Sequence, residues 1–304
     1  MKISVIIKNY NYSKYLPDAI ESILNQTIKA DEFIIIDDGS TDESQKIIQA
    51  YADQHPEITF LKNEKNIGIC ATTNKVIPLA KYDYVTLLAS DDIYLPNYIE
   101  ETKKAYEKFP HACLFCSDFA YMEDENTKEV TNFPKVFTSP ETTFLMGHPL
   151  IKAMRTYKFW ISSPACFRRD LFYKFKGYIS DLEMYMDFFL LAMIAFDRGV
   201  CYIPKTIKVM RVHGSQFSST LSFKKKKNAW KNFFDKFQTD DFKKFKYDFK
   251  KSHLLYHWET PLFYYLLKNP RYWSFADYSL WKKLGIQWRR RKVDPLLKKL
   301  TFKS

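Results

Sequence analysis

Two apolar runs that each lead into a pair of aspartates constrain this chain more than any other feature. Residues 33–36 (FIII) continue into the aspartates at 37–38, and residues 84–88 (YVTLL) continue, after two small residues, into the aspartates at 91–92. A β-rich run that stops at such a pair places the carboxylates at the carboxyl end of a buried parallel strand. Open α/β sheets bind their ligands at that edge. Two carboxylate pairs there predict a site for a divalent cation that carries a diphosphate.

Strand and helix patterns alternate around these runs as far as Ser90, which predicts a parallel sheet with right-handed crossovers. The predicted strands cover residues 3–7, 33–37, 58–61 and 84–88, and the predicted helices cover 16–26, a segment opening at 41–44, and 71–79. Later patterns predict a helix at 93–109, a strand at 111–117, a long loop at 123–150, a strand at 161–168, a helix at 181–197 and a strand at 201–209. The predicted fold class is α/β, with a mostly parallel, Rossmann-like sheet flanked by helices.

Basic charge is concentrated at the end of the chain. The whole chain has a formal net charge of +12, whereas residues 224–304 hold 22 lysines and arginines against 7 aspartates and glutamates, a balance of +15. The first 223 residues are therefore left with −3. This shift predicts two regions: an α/β domain at residues 1–222 and a basic, aromatic, helical region at residues 223–304.

The aromatic residues of the basic region suggest a surface role. Phe242, Phe245, Phe249 and Tyr256 share one face of a predicted helix whose remaining positions are rich in lysine. Such a helix suits an anionic membrane surface, and the tryptophans at 230, 258, 273, 281 and 288 suit its interfacial belt. The alternative is a helical bundle packed on the first domain with solvated lysines. No nucleic-acid partner is expected, because the charge is not accompanied by a recognised nucleic-acid-binding module.

Cysteines and apolar segments indicate the compartment. Cys113 and Cys116 have the Cys-x-x-Cys spacing, but no second pair follows, so a buried strand is favoured over a zinc or redox motif. The first residues lack the layout of a signal peptide. The longest apolar run, residues 188–196, is shorter than the roughly 20 residues of a membrane-spanning helix. We therefore expect a cytoplasmic protein, peripheral on the inner face of the cytoplasmic membrane.

Five short motifs in order resemble glycosyltransferase family 2, whose members have the GT-A fold. They are residues 4–7 with the following Tyr10-Asn11, residues 36–42 (IDDGSTD), residues 89–92 (ASDD), residues 176–188 and residues 211–215 (RVHGS). The resemblance covers residues 3–218. It implies a bacterial enzyme that transfers a sugar from a nucleotide sugar to an acceptor.

The resemblance assigns roles at the nucleotide. Tyr10 would stack on the base, with Asn9 as a possible hydrogen-bond partner. Asp38 would accept from the imide N–H of the base, which favours a UDP- or dTDP-sugar. Asp91 would contact the ribose.

The resemblance also assigns the metal and the base. Asp92 would bind Mn²⁺ or Mg²⁺ that bridges the donor diphosphate, and His213 would be a second contributor. Asp187 would be the general base for the acceptor hydroxyl. Two departures stand out: the family often has proline where Lys8 stands, which we interpret as a loop detail, and aspartate where Ala89 stands, which weakens the metal expectation.

Without the resemblance, each residue has a plainer interpretation. Either aspartate pair alone could close a turn or cap a helix, and His213 could be a hydrogen-bonded loop histidine. Asp187, in an apolar segment, needs a partner or a task.

Sugar transfer needs a neutralised leaving group, a carboxylate base and an in-line arrangement. One base without a second carboxylate nucleophile predicts inversion. The expected acceptor is a saccharide, lipid-linked or free, in surface polysaccharide, lipooligosaccharide or glycoprotein glycan synthesis. The alternatives are a sugar-nucleotide nucleotidyltransferase, which should have a glycine-rich phosphate loop after the first strand, and an inactive scaffold that binds membrane or nucleic acid.

Overall fold

One mixed β-sheet organises the part of the chain that the structure, a computed structural model, describes. The described residues are 1–122, 130–132, 137–157, 165–214, 221–257 and 260–292. Within them the strands are β1 (Ile3–Asn9), β2 (Glu32–Asp37), β3 (Ile58–Lys62), β4 (Tyr84–Ala89), β5 (Ile93–Tyr94), β6 (Leu114–Met122), β7 (Val130–Asn132), β8 (Thr143–Leu145), β9 (Ala165–Arg168) and β10 (Val200–Arg211). They are hydrogen-bonded in the order β3-β2-β1-β4-β9-β6-β10-β5, with β7 on β6 and β8 on β10.

Helices cover both faces of this sheet and form most of the described chain after residue 222. The α-helices are α1 (Leu16–Leu24), α2 (Ser44–Gln54), α3 (Ile69–Val76), α4 (Tyr98–Lys108), α5 (His148–Tyr157), α6 (Arg169–Lys174), α7 (Met186–Arg198), α8 (Phe223–Lys236), α9 (Lys246–Ser252), α10 (Thr260–Leu267) and α11 (Tyr278–Lys292). Short 3₁₀ segments cover Ile77–Leu79, Ser180–Tyr185, Lys243–Phe245, Leu254–His257 and Pro270–Phe275.

The first four strands confirm the predicted parallel sheet. β1 pairs in parallel with β2 on one side and with β4 on the other, and β3 pairs in parallel with the other side of β2. Their apolar side chains fill two buried clusters, one on each face of the sheet, as expected for strands covered by helices on both faces. The carboxyl ends of β1, β2 and β4 therefore meet at one edge, where the aspartate pairs follow.

The second half of the sheet is mixed. β9 runs antiparallel between β4 and β6, while the 12-residue β10 runs parallel to β6. The start of β10 pairs with β8, and the part near its end pairs with β5. Its carboxyl end comes to the same edge as the aspartates after β4.

Three predicted elements differ from the structure. The predicted helix at 93–109 begins only at Tyr98, because residues 93–94 pair with β10 and Pro96 disfavours helical geometry before it. The predicted helix at 181–197 begins at Met186, because residues 180–185 form a 3₁₀ segment that is interrupted at Glu183, where φ is 50°. The predicted long loop at 123–150 contains β7, β8 and the start of α5 where the structure describes it.

Cys113 and Cys116 are both buried and free, and Cys116 lies in β6, which confirms the core-strand interpretation. Residues 161–164 of the predicted strand at 161–168 lie outside the described residues, and β9 forms the rest.

The C-terminal helices share a hydrophobic core with the sheet domain. The aromatic residues of α8 and its successors interleave with those of α7; Phe189, for example, makes edge-to-face contacts with Phe233 and Phe242. Trp230 is fully buried and donates to the hydroxyl of Tyr185 at 2.8 Å. The division into residues 1–222 and 223–304 is therefore a change in charge across one continuous core.

This packing corrects the membrane interpretation of the aromatic residues. Phe242, Phe245 and Phe249 are all buried, because packing against aromatic residues of the sheet domain and of the neighbouring helices removes their apolar area from water. Of the tryptophans, Trp230 is buried and Trp273 is 48% exposed. The side chains of the tryptophans at 258 and 288 and of Tyr256 lie outside the described residues.

None of the helices among the described residues combines the length and the apolar character that a membrane span requires.

Candidate active site

A cleft of about 680 Å³ opens at the carboxyl edge of β1, β2 and β4, a volume in the range of small-molecule sites. Its lining includes six of the seven predicted site residues, which are Asn9, Tyr10, Asp38, Asp91, Asp92 and Asp187. Tyr10 is 41% exposed. Segments far apart in the sequence therefore meet in one cleft.

The first aspartate of the pair after β2 closes a turn. Asp37 is fully buried and accepts hydrogen bonds from Ser40 N at 2.8 Å, Ser40 Oγ at 2.6 Å and Asn9 Nδ2 at 2.8 Å. The plain interpretation of a turn-closing carboxylate therefore describes Asp37. The same contact orients the amide of Asn9, whose Oδ1 is buried without a hydrogen-bond partner in the part of the chain that the structure describes.

The second aspartate holds the loop that follows β3. Asp38 accepts from Asn63 Nδ2 at 2.8 Å, Ile67 N at 3.0 Å and Gly68 N at 2.9 Å. A carboxylate offers about four acceptor positions, so one remains. At Gly39, with φ of 68°, an added Cβ would come within 2.6 Å of a backbone nitrogen in that loop, so only glycine permits this approach.

The two aspartates after β4, Asp91 and Asp92, contact different partners, which lie in β10 and in the residues just after it. Asp91 Oδ2 lies 3.0 Å from His213 Nε2, and both side chains are at least nine-tenths buried. The rings of Tyr12 and Tyr15 lie 5.5 and 4.8 Å from the His213 ring. Burial, and then the neighbouring charge of Asp92, raise the pKa of the Asp91 carboxyl.

The carboxylate of Asp92 contacts Lys208 and the backbone of Arg211. Its Oδ2 lies 2.8 Å from Lys208 Nζ, with both side chains almost fully buried, and its Oδ1 accepts from the backbone N–H of Arg211 at 3.1 Å. The Arg211 guanidinium donates to the carbonyl oxygen of Asp91 at 3.1 Å and to Asp18 Oδ2 at 2.8 Å. These contacts fasten the turn after β4 to β10.

The predicted metal residues Asp92 and His213 have different partners in the structure. Successive side chains in the turn point to different neighbours, and it is Asp91 that meets His213. Among the described residues no cluster of three or more His, Cys, Asp or Glu side chains is arranged around a metal position. The Asp91–His213 pair supplies a carboxylate oxygen and an imidazole nitrogen, ligands that suit Mn²⁺ and, through the oxygen, Mg²⁺. A cation held by this pair would need its remaining ligands from a substrate.

Asp187 lies in the first turn of α7, not in its interior, and its carboxylate is half-buried in the cleft lining. Oδ1 accepts from Phe188 N at 2.6 Å, and the start of a helix favours a negative charge. Burial nevertheless raises the pKa of Asp187, an effect that this hydrogen bond and the charges of Lys8 and Lys208 oppose. The position suits a carboxylate that takes up a proton.

Three basic residues of the site were not predicted: Lys8, Lys208 and Arg211. Lys8 is the residue before the end of β1 and lines the cleft, so it is not a loop detail. Lys208 lies between the buried apolar residues Ile207 and Val209, and a charge there needs a buried partner. That interruption was the available sequence signal, but the identity of the partner depends on pairing across the sheet.

Comparisons with known proteins identify the family. The sequence model described as Glycosyl transferase family 2 matches residues 4–174, more than half of the chain. The chain is 38% identical over 133 residues to an uncharacterized glycosyltransferase, MJ1057, of Methanocaldococcus jannaschii, covering 43% of this chain and 46% of that protein. It is 37% identical over 117 residues to chondroitin synthase of Escherichia coli, covering 38% and 17%, and 42% identical over 98 residues to glycosyltransferase GlyG of Streptococcus pneumoniae, covering 32% and 33%. The matches thus span less than half of these relatives.

Solved structures agree in fold. The structure of Staphylococcus aureus TarS residues 1–349 in complex with UDP-GlcNAc has a TM-score of 0.67 at 15% identity, covering 90% of this chain and 78% of that one. The corresponding complex with UDP has a TM-score of 0.58 at 14% identity, covering 96% and 92%. At such identity the likeness concerns the fold, which is the predicted GT-A fold with additional C-terminal helices. By its sequence motifs and by the match over residues 4–174, this chain belongs to glycosyltransferase family 2.

Proposed function

We propose that this glycosyltransferase moves a sugar from a UDP- or dTDP-sugar to a saccharide hydroxyl, with inversion and with Mn²⁺ or Mg²⁺. The observation that carries the proposal is the meeting of four segments in one cleft. The cleft is lined by Tyr10, the candidate for stacking on the base, by Asp38, the candidate hydrogen-bond acceptor for the base, and by Asp91 and Asp187. His213 borders it through its contact with Asp91.

The nucleotide would lie along the ends of β1 and β2. Tyr10 offers an exposed ring, and Asp38 retains one acceptor position for an imide N–H, which uracil and thymine have and cytosine lacks. TarS, which resembles this chain in fold, binds UDP-GlcNAc. Both observations favour a pyrimidine diphosphate donor.

A divalent cation would be held by Asp91 and His213 together with oxygens of the donor. Bound there, it would act as a Lewis acid that neutralises charge on the leaving diphosphate. Asp92 instead holds the turn in place through Lys208, and so positions its neighbour Asp91. The proposal therefore transfers the metal role from Asp92 to Asp91.

The acceptor proton would go to Asp187. A sugar hydroxyl is almost un-ionised at neutral pH, so a carboxylate within hydrogen-bond reach lowers the barrier to attack. The pKa of Asp187, raised by burial, makes it a better proton acceptor than an exposed aspartate. Direct attack assisted by one base inverts the configuration at the sugar carbon.

The acceptor would be a saccharide, lipid-linked or free, in bacterial surface polysaccharide, lipooligosaccharide or glycoprotein glycan synthesis. Relatives named for polysaccharide synthesis, such as the Escherichia coli chondroitin synthase, support this class. We further propose that the protein is cytoplasmic and lies on the inner membrane surface, through exposed lysines and the exposed rings of Phe223, Tyr247, Trp273 and Tyr278.

A thermal-shift series tests the donor assignment. UDP and dTDP with Mn²⁺ should raise the melting temperature of the intact protein more than GDP or CDP do, because a ligand that binds only the folded state stabilises it. A larger shift with GDP would contradict the roles of Tyr10 and Asp38. An absence of any shift with all four nucleotides would contradict the donor site itself.

A further inference from the structure

A second cation faces the cleft beside the proposed metal pair. Lys8 lines the cleft from the end of β1, and its Nζ lies 5.5 Å from the ring centroid of Tyr178, over the face of the ring. In the β1–β4 register it stands opposite Ala89, which brings no carboxylate to it. The contact with the Tyr178 ring thus positions the Lys8 side chain, which faces the cleft.

The two lysines of the site differ in their partners. Lys208 has its ammonium on Asp92 at 2.8 Å, whereas Lys8 forms no ion pair or hydrogen bond with any of the described residues. Asp187 is the largest source of compensating charge and acts on Lys8 without forming an ion pair. Burial lowers the pKa of Lys8 to about 8, as expected for an ammonium that has lost water and gained no carboxylate.

Such an ammonium costs stability unless something binds it. A lysine has three donors and is a point charge that suits phosphate and carboxylate oxygens. The site itself supplies Asp91, Asp92 and Asp187 as acidic groups, but Asp91 is on His213 and Asp92 on Lys208. The Lys8 ammonium therefore still needs an anionic oxygen to bind it, and a substrate would supply that oxygen.

We propose that Lys8 binds a negatively charged oxygen of the sugar donor and is a donor-binding residue of this enzyme. The oxygen belongs either to the diphosphate or to a carboxylate on the transferred sugar. The inference rests on the proposed function, because it takes the cleft as the donor site. Its consequence is that part of donor binding persists without a divalent cation.

Calorimetric titrations of the intact protein test this, with uridine, UDP, UDP-glucose and UDP-glucuronate as probes, in Mn²⁺ and in EDTA. The variants are Lys8→Met, which keeps the stem, Lys8→Gln as a second neutral variant, and Lys8→Arg, which keeps the charge. Lys2→Met is the matched control, since Lys2 makes the same kind of contact, over the ring of Tyr82 at 5.0 Å, just before the other end of β1.

A diphosphate contact predicts that Lys8→Met and Lys8→Gln weaken UDP and both UDP-sugars by roughly 10- to 100-fold, the usual worth of a hydrogen bond to a charged group. Uridine should bind as before, and Lys8→Arg should lose less. A sugar-carboxylate contact predicts the same loss for UDP-glucuronate alone. In either case Lys2→Met should match the wild type.

Equal affinity of wild type and both neutral variants for all four probes would overturn the role of Lys8 while leaving the donor site intact. A parallel loss of uridine binding would also overturn it, because the effect would then be a distortion of the cleft. If the wild-type protein bound none of the uridine nucleotides, the proposed function would fail instead.

Discussion

Charged side chains are buried at the edge of the sheet and exposed on the C-terminal helices. At the sheet edge, Asp92 and Lys208 are almost fully buried against each other, while the aromatic ring of Tyr10 is exposed. In the C-terminal helices, lysines such as Lys243 are exposed, while phenylalanines such as Phe233 and Phe249 are buried. Buried charge is costly and persists where a partner or a ligand compensates it. The contrast shows that the site lies where charged side chains are buried, and that the described part of the basic region, residues 223–292, combines an apolar core with a solvated exterior.

The largest expected effect concerns the metal at the sheet edge. Transfer should be abolished by EDTA and restored by Mn²⁺ or Mg²⁺, because the leaving diphosphate is then neutralised again. Measuring transfer to a saccharide acceptor before and after chelation checks this. Undiminished transfer in chelator would leave Asp91 and His213 as a structural pair only.

The next largest effect concerns the base. Asp187→Asn should lower the transfer rate by about 10² or more while donor affinity stays within a few-fold. Because burial raises the pKa of this carboxyl above its unfolded value, ionisation opposes folding at neutral pH, so the amide should not lower the melting temperature. Melting, donor titration and single-turnover transfer on that variant separate a base from a structural carboxylate.

The pH profile sharpens this assignment. Only ionised Asp187 can accept the proton, so transfer should fall as the pH drops through its raised pKa, above the range of an ordinary aspartate. Near-normal turnover of Asp187→Asn would remove this residue from the mechanism, and Asp181 or Glu183 would be the next candidates.

A smaller effect tests the contrast between the two regions through stability. Lys208→Met leaves Asp92 buried without its counterion and should lower the free energy of unfolding by about 3–5 kcal/mol. The matched control is Lys243→Met, whose partner Asp240 lies 2.6 Å away but with the two side chains 65% and 93% exposed. That loss should stay below about 1 kcal/mol. Urea unfolding of both variants gives the comparison, and equal losses would break it.

The smallest effect concerns the exterior of the C-terminal helices. Vesicles with anionic lipid should bind the intact protein, and replacing Lys224 and Lys225 by Gln should weaken binding by about 30-fold, at roughly 1 kcal/mol per lysine. Added salt should weaken it further by screening. Removal of the whole region is a poor test, because its aromatic residues complete the core of the catalytic half. Equal binding of both proteins to anionic and neutral vesicles would favour a purely structural role for these helices.

The predictions from sequence succeeded where local pattern decides. β1, β2 and β4 were predicted because strands buried on both faces are continuous apolar runs. The helix predicted from residue 93 was wrong in its start, because the pairing of Ile93–Tyr94 with β10 is set by residues more than a hundred positions away.

At the site, residue types were predicted better than partnerships. Asp91, Asp92 and His213 do come together, but which carboxylate meets the histidine depends on the direction of each side chain in the turn. Lys8 was set aside because nothing local marks a strand-end lysine as facing a cleft. Its role depends on Ala89 across the strand pair and on Asp187, which approaches from a later part of the chain.

The central claim is that the sheet-edge cleft binds a nucleotide diphosphate through Asp91 and His213. The most direct measurement is a calorimetric titration of UDP in Mn²⁺ into wild-type protein and into Asp91→Asn, with circular dichroism to confirm that the variant is folded. We predict one UDP per chain for the wild type, and an affinity for the folded variant that is at least about tenfold lower and no longer dependent on Mn²⁺. Equal, Mn²⁺-dependent binding by both proteins would contradict the account.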